Sequence, residues 1–414
     1  MASKAEERVE QRYKILQEEL GEKDIDIDEV KEQVKAFEVE VPSWLFGAFG
    51  GGRFGDYLPP APARNIREKI RDASFVYGLT GACPRIAIHV GWDKPEDVEF
   101  DEIEAEHFEE VHHYAMEQGL EIGAINPTLF LSGTHYGSLS SPDKEVRDRL
   151  IHHCVTSCDI ARRYGHGLVT YWLPDGSNYP GQVDLWEEEA RVRDSLQEVY
   201  DMASPNVTHL IEYKLFEPGT YSTIICDAGV SRDIALSLGD NVGVLVDLGH
   251  HAHGVNIPQI VARLCGMGTP GGFHFNTRYA ADDDHAVEPN REMYAIFCEL
   301  AQHGVVAQED PEENWPYMID QASSLENRIK ALIHSIDSLQ VSLAKALILD
   351  RDELNAMQKE QNIMRANRVF LDAFLTDVRP IVQKGRIERG LPIDPVKAYD
   401  ESGYQQKIER QRQD

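Results

Sequence analysis

The feature that most constrains this chain is a rhythm: short, β-branched apolar runs recur between longer stretches of helical periodicity. The runs are 37–44 (FEVEVPSW), 86–90 (IAIHV), 121–130 (EIGAINPTLF), 168–173 (LVTYWL), 207–216 (VTHLIEYKLF), 242–247 (VGVLVD), 271–276 (GGFHFN) and 317–321 (YMIDQ). Nearly continuous apolar character marks strands covered on both faces, as in a parallel sheet. Intervals of about 20 to 40 residues leave room for a crossover helix between successive strands. Such units predict an α/β fold, a (β/α)₈ TIM barrel spanning 37–325, ahead of a doubly wound open sheet. Residues 1–36 read as an N-terminal helical segment, split near Gly21-Glu-Lys-Asp24. From 326 to 414 the pattern is helical, with Ile329, Leu332, Ile336, Leu339, Leu343 and Leu347 in period, and predicts a C-terminal helical oligomerisation arm.

Charge narrows the partners. Lys plus Arg is 41 against 71 Asp plus Glu, a net charge of −30. That field repels phosphate backbones and anionic lipid, so neither nucleic acid nor a membrane surface is expected as a partner. It suits cations and uncharged substrates. No apolar run approaches the roughly 18 residues of a membrane helix. The opening MASKAEERVEQRYK is charged where a secretion signal is apolar, which predicts a cytoplasmic protein whose six cysteines are reduced thiols.

Barrel enzymes place their working groups where the strands end. Here those ends carry His89, Trp172, Glu212 with Lys214, Asp247 with His250, His274, and Asp320. Converging carboxylates repel one another unless a cation lies between them. Glu212, Asp247, His274 and Asp320 offer three carboxylates and an imidazole, a set suited to Mn²⁺ or a related octahedral ion. His250 lies three residues beyond Asp247, and Asp282 and Asp284 alternate in the acidic loop after the His274 run. With Asp247 as a bridge, these three form a candidate second ion site, and paired ions can turn bound water into a base. Taken singly, each group has a plainer reading: a hydrogen-bonded cap, a solvated turn, or core in the case of Trp172. Four acid or imidazole groups on four run ends together favour the ion. Two other patterns are set aside. His152-His153-Cys154-x3-Cys158 lies in a helical stretch and lacks a second cysteine pair for zinc. The glycine-rich segment 47–55 has no Lys-Ser/Thr after it, so it is neither a P-loop nor a dinucleotide fingerprint, and reads as a surface loop or a substrate lid.

Several strings, taken together, are specific. Val246-Asp247-Leu-Gly-His250-His251-Ala, Gly271-Gly-Phe-His274-Phe-Asn276, Asp282-Asp-Asp284 and Met318-Ile-Asp320-Gln321 resemble the L-rhamnose isomerase family. The likeness is to its broad-specificity bacterial type, among the xylose-isomerase-like barrels. It extends to Val41-Pro-Ser-Trp44, His89-Val-Gly-Trp92-Asp93-Lys94, Asp175-Gly-Ser-Asn-Tyr-Pro-Gly-Gln182 and Glu212-x-Lys214-x-x-Glu217-Pro218. The resemblance implies two divalent ions per subunit, commonly Mn²⁺ with Co²⁺, Mg²⁺ or Zn²⁺ as alternatives, and aldose–ketose interconversion. It implies a structural ion on Glu212, Asp247, His274 and Asp320, and a catalytic ion on His250, Asp282 and Asp284 with Asp247 bridging. Lys214 would polarise the O1 carbonyl and His89 would hydrogen-bond the sugar near its ring oxygen or O5. Trp44 and Trp172 would wall the apolar side, and Phe54 would close the pocket of a neighbouring subunit in a homotetramer. The expected reaction converts L-rhamnose to L-rhamnulose by a two-metal hydride shift between C1 and C2, with L-mannose, L-lyxose and D-allose as further substrates. Thr277, His253 and Gly254 depart from the family pattern, which touches substrate preference more than ion binding. The alternative is a metal-dependent ketose 3-epimerase, whose two glutamates around one ion leave His250, Asp282 and Asp284 unused. A nuclease or phosphatase would want a basic groove, and a metal-storing scaffold has no use for Trp172, Lys214 and His89.

Overall fold

The computed structural model describes residues 3–48, 60–282, 284–308, 315–321 and 325–412. Eight parallel strands close into a barrel: β1 (Glu40–Pro42), β2 (Arg85–His89), β3 (Glu121–Asn126), β4 (Leu168–Tyr171), β5 (Thr208–Glu212), β6 (Val242–Asp247), β7 (Gly271–Phe275) and β8 (Tyr317–Ile319). The ring closes where Glu40 of β1 pairs with Met318 of β8 on one side and Arg85 of β2 on the other. The predicted barrel is the observed one, and each apolar run coincides with a strand to within a residue or contains it. A small antiparallel hairpin, Phe216–Glu217 with Tyr221–Ser222, follows β5 outside the ring.

Between β2 and β3 the register slips, Ile86 facing Ile122 but Ile88 facing Ile125. The extra residue lies beside Glu40, a buried carboxylate at the start of β1. Glu40 accepts the Ala124 N–H at 2.8 Å and pairs with Arg85 at 3.3 Å. A side chain at Gly123 would collide with the Glu40 carboxylate, so only glycine lets the carboxylate enter there.

Helices Ile66–Thr80, Glu109–Glu117, Lys144–Tyr164, Leu185–Met202, Ala228–Leu238, Ile257–Gly266, Arg291–Gln302 and Arg328–Leu347 surround the strands. Asn65, Asp143, Asp184, Asp227, Asn256, Asn290 and Asn327 cap seven of them, each accepting a first-turn backbone N–H. Such caps contribute about 0.5–2 kcal/mol apiece. Arg328–Leu347 is buried along most of its length and packs against Arg291–Gln302 and Ile66–Thr80. The segment after 325, read from sequence as an arm, therefore begins with the helix that completes the outer ring.

The N-terminal helices Lys4–Gly21 and Ile27–Ala36 rest on Arg379–Glu388 near the other end of the chain. Buried Lys31 fastens the contact, 3.0 Å from both Asp28 and Glu388. Arg412 reaches Asp72 at 2.8 Å and Glu68 at 3.2 Å on Ile66–Thr80. Among the described residues no single helix is long and apolar enough to cross a membrane.

Candidate metal centre and substrate pocket

Strand direction gathers the polar groups at one end of the barrel. Glu212 and Asp247 are the last residues of β5 and β6, His274 is next to last in β7, and Asp320 directly follows β8. All four converge on one point. His274 Nδ1 lies 3.3 Å from Glu212 Oε1, 3.7 Å from Asp247 Oδ2 and 3.8 Å from Asp320 Oδ2. Neighbouring ligands of an octahedral ion with bonds of about 2.1 Å stand about 3 Å apart, so this spacing is of the right order.

The carboxylates are aimed. Asp247 Oδ1 accepts the Gly249 N–H at 2.8 Å and the Asn276 amide at 2.9 Å, while its buried Oδ2 has no hydrogen-bond partner among the described residues. Asp320 Oδ1 accepts the Trp44 indole N–H at 3.0 Å, which leaves Oδ2 toward the cluster. One oxygen of each is thus used for orientation and the other is left for a ligand. A buried acceptor without a donor costs about 1–3 kcal/mol, which a cation would offset.

His250, Asp282 and Asp284 form an adjoining group, and Glu212, Asp247 and His250 link the two, with each group's ligand atoms within 4.8 Å of one another. The acidic loop is pinched at its base by paired backbone bonds between Thr277 and His285, at 2.9 and 2.8 Å. Thr277, which departs from the family pattern, also accepts the Glu288 N–H at 2.9 Å. Asp282 adopts a left-handed backbone (φ 56°) that aspartate tolerates, its N–H held by Gly249 O at 2.8 Å. Asp284 Oδ1 is buried without a partner among the described residues. Lys214 reaches Asp282 at 2.9 Å and Glu217 at 2.8 Å, and its ammonium sits 5.4 Å from the Trp172 ring centre.

The cluster's charges are strongly interdependent. Burial raises Asp320 to about 6 and lifts Asp247 and Asp284 above the usual carboxylate range. Burial alone would also raise Glu212, but His274 and His250 hold it low. Against the opposing effect of burial, Asp247 and Glu212 push His250 up to about 10, and Glu212 pushes His274 up to about 9. Three carboxylates and an imidazole around one point, beside two carboxylates and an imidazole around another, are a donor set that fits divalent ions.

Opposite the cluster stands an arc of rings. Trp44, in the turn Ser43–Phe46 after β1, meets His89 edge-on at 5.1 Å; His89 lies 4.4 Å from Trp92 and 5.5 Å from Phe130, and Phe130 lies 4.9 Å from Trp172. Burial drives His89 down to about 3, so its imidazole is neutral. Beneath the arc, fully buried Asp93 accepts from Lys69 Nζ at 2.5 Å, from the His89 N–H at 2.9 Å and from the Ser43 hydroxyl. The structure brings together every proposed site residue except Phe54, which lies outside the described residues. Sequence reasoning gave no role to Phe130, Trp92, Asn276, Asp93 or Lys69. Asn276 was within reach of it, because residues two apart on a strand share a face.

The family model for L-rhamnose isomerase (RhaA) matches residues 7–376. A probable sugar isomerase of Rhizobium meliloti (strain 1021) is 36% identical, the match covering 97% of this chain and 92% of that protein. An L-rhamnose isomerase of Listeria monocytogenes serotype 4a is 25% identical over 86% of this chain and 87% of its own length. Among solved structures, an L-ribulose 3-epimerase superposes with a TM-score of 0.53 at 14% identity, covering 79% of this chain and 98% of that one, a likeness of fold. The chain belongs to the L-rhamnose isomerase family and is an aldose–ketose isomerase.

Proposed function

We propose that the enzyme converts L-rhamnose to L-rhamnulose, and accepts L-mannose, L-lyxose and D-allose, with two divalent ions, Mn²⁺ foremost. The observation that carries this reading is the convergence of seven side chains able to ligate, with buried carboxylate oxygens of Asp247 and Asp284 left without donors among the described residues. Glu212, Asp247, His274 and Asp320 would hold one ion; His250, Asp282 and Asp284, with Asp247 between, would hold the other. When bound, the ions supply the positive charge that steadies O1 and O2 and eases loss of the O2 proton. Lys214 directs a cation at O1 of the opened sugar, and a donor so placed contributes about 3–4 kcal/mol by analogy with oxyanion sites. The indoles of Trp44 and Trp172 keep water from the reacting carbons, which favours hydrogen moving from C2 to C1 as hydride over exchange through an enediol. In a homotetramer, Phe54 of one subunit would close the pocket of the next.

The test is ketose formation from a panel of aldoses after EDTA treatment, with Mn²⁺ restored. Ion-dependent turnover with L-rhamnose among the best substrates is expected. Ion-dependent turnover that omits L-rhamnose would move the specificity and keep the chemistry. Exchange of ketoses at C3 with no aldose reacting would replace the reading with epimerisation. Retention of the C2 hydrogen when the reaction is run in D₂O separates hydride transfer from the enediol route.

A further inference from the structure

Thr128 follows β3 and is fully buried, its backbone N–H donated to His153 Nε2 at 2.9 Å. Its hydroxyl oxygen has two neighbours among the described residues. It accepts the Gly91 N–H at 2.9 Å and lies 3.0 Å from His89 Nδ1. An amide N–H can only donate, so the polarity of the first bond is fixed. A hydroxyl carries one hydrogen, and Nδ1 is the one acceptor in its reach among the described residues. Were Nδ1 protonated instead, two N–H groups would point at Oγ1 and the hydroxyl hydrogen would be buried with no acceptor. Leaving such a donor unpaired favours the other arrangement by about 5- to 150-fold.

We propose that Thr128 is a positioning residue that holds His89 in its Nε2–H tautomer, so that His89 offers the sugar a hydrogen-bond donor and no base. That the ligand is a sugar rests on the isomerase reading; the tautomer does not. The ring has little freedom to turn over, wedged between Trp44 and Trp92, with its backbone N–H held by Asp93. Nδ1 is engaged by Thr128, and Nε2 is the nitrogen left for a ligand. A neutral N–H suits an oxygen that accepts, such as the ring oxygen of a closed sugar or the hydroxyl oxygen it becomes on opening. Its lone pairs are all committed, so the proton lost from the anomeric hydroxyl on opening goes to a group other than His89.

Neutron diffraction from deuterium-exchanged crystals of the ion-loaded enzyme near neutral pH reads the tautomer directly. Deuterium is expected on His89 Nε2 and on the Thr128 hydroxyl, with none on Nδ1. Deuterium on Nδ1, alone or together with Nε2, overturns the proposal. Thr128→Val should shift His89 toward the Nδ1–H form and raise KM by about 2- to 10-fold, with bound-ion stoichiometry unchanged. Thr128→Ser, which keeps the hydroxyl, should restore both. A valine variant with the parent tautomer and KM refutes the role of Thr128. If the wild type turns over no aldose, the isomerase reading falls while the neutron result still decides the tautomer.

Discussion

Replacing Lys69 with methionine tests whether one buried ion pair sets the width of the pocket. The Lys69 side chain is 9% exposed and that of Asp93 is 0% exposed, with 2.5 Å between Nζ and Oδ1. Methionine keeps the length and apolar stem of lysine but leaves the carboxylate enclosed with, among the described residues, only the Ser43 hydroxyl and the His89 N–H donating to it. Breaking a buried pair in this one-sided way costs about 3–5 kcal/mol. For a chain of 414 residues the entropy of unfolding is about 0.9 kcal/mol per kelvin, so the loss corresponds to about 3–6 °C in Tm. Asp93→Asn should cost a similar amount, since its amide must face the Lys69 ammonium or give up its backbone bond. The double variant is the informative one. An asparagine oxygen can accept from both His89 and Ser43 once the cation is gone, so more than half of the lost stability should return. Because Asp93 ties the residue before Trp44 to the backbone of His89, both single variants should also raise KM for sugar more than they lower kcat. Urea unfolding of all four proteins supplies the cycle. Additive effects of the two single changes, or losses below about 0.5 kcal/mol, refute the coupling.

His274→Ala or Asp320→Asn should lose one of two bound ions, read by elemental analysis after dialysis, together with activity; full turnover would remove these residues from the ligand set. Asn276→Ala, which frees Asp247 Oδ1 and a contact to the Asp320 carbonyl, should weaken ion affinity by about 10- to 100-fold, and calorimetric titration would show whether it does. Asp282→Asn should leave folding and the first ion intact while lowering turnover and loosening Lys214, and a full catalytic rate would show that the second group does not act in the reaction. The raised His250 and His274 stabilise the ion-free protein fully below their unfolded values near 6.5, and that stability is lost as pH rises through about 9 to 10. Neutral imidazoles are what an ion requires, so ion uptake near pH 7 should release protons, measurable as a buffer-dependent enthalpy. Uptake without proton release would mean that the two imidazoles are already neutral in the ion-free protein.

Much of the site was legible because a parallel barrel writes its chemistry at fixed places. Glu212, Asp247, His274 and Asp320 interrupt or terminate apolar runs whose interior would otherwise be branched aliphatic, and a charge there has no packing explanation. The same rule offered no view of Lys69 and Asp93, which lie 24 residues apart on two separate elements and meet because β1 and β2 are neighbours. Thr128 was equally hidden, since its meaning lies in which of two neighbours donates. The place of Arg328–Leu347 in the outer ring was obscured for another reason. Its periodicity is that of any amphipathic helix, and only the helices on either side decide whether it completes a barrel or leaves it.

The clasp between the two ends of the chain bears on how the protein comes off the ribosome. β1 finds one neighbour in β2 soon after it emerges, but its other edge pairs with β8, and Ile27–Ala36 waits for Arg379–Glu388. Through most of synthesis the nascent chain therefore presents an unpaired strand edge and a bare helix face. Arg412, more than 300 residues further along, reaches back to Asp72 and Glu68. Loss of the segment that carries Arg412 should thus damage the first third of the sequence, and slow elongation before β8 is made should lengthen the exposure of that edge to chaperones and to other copies of itself.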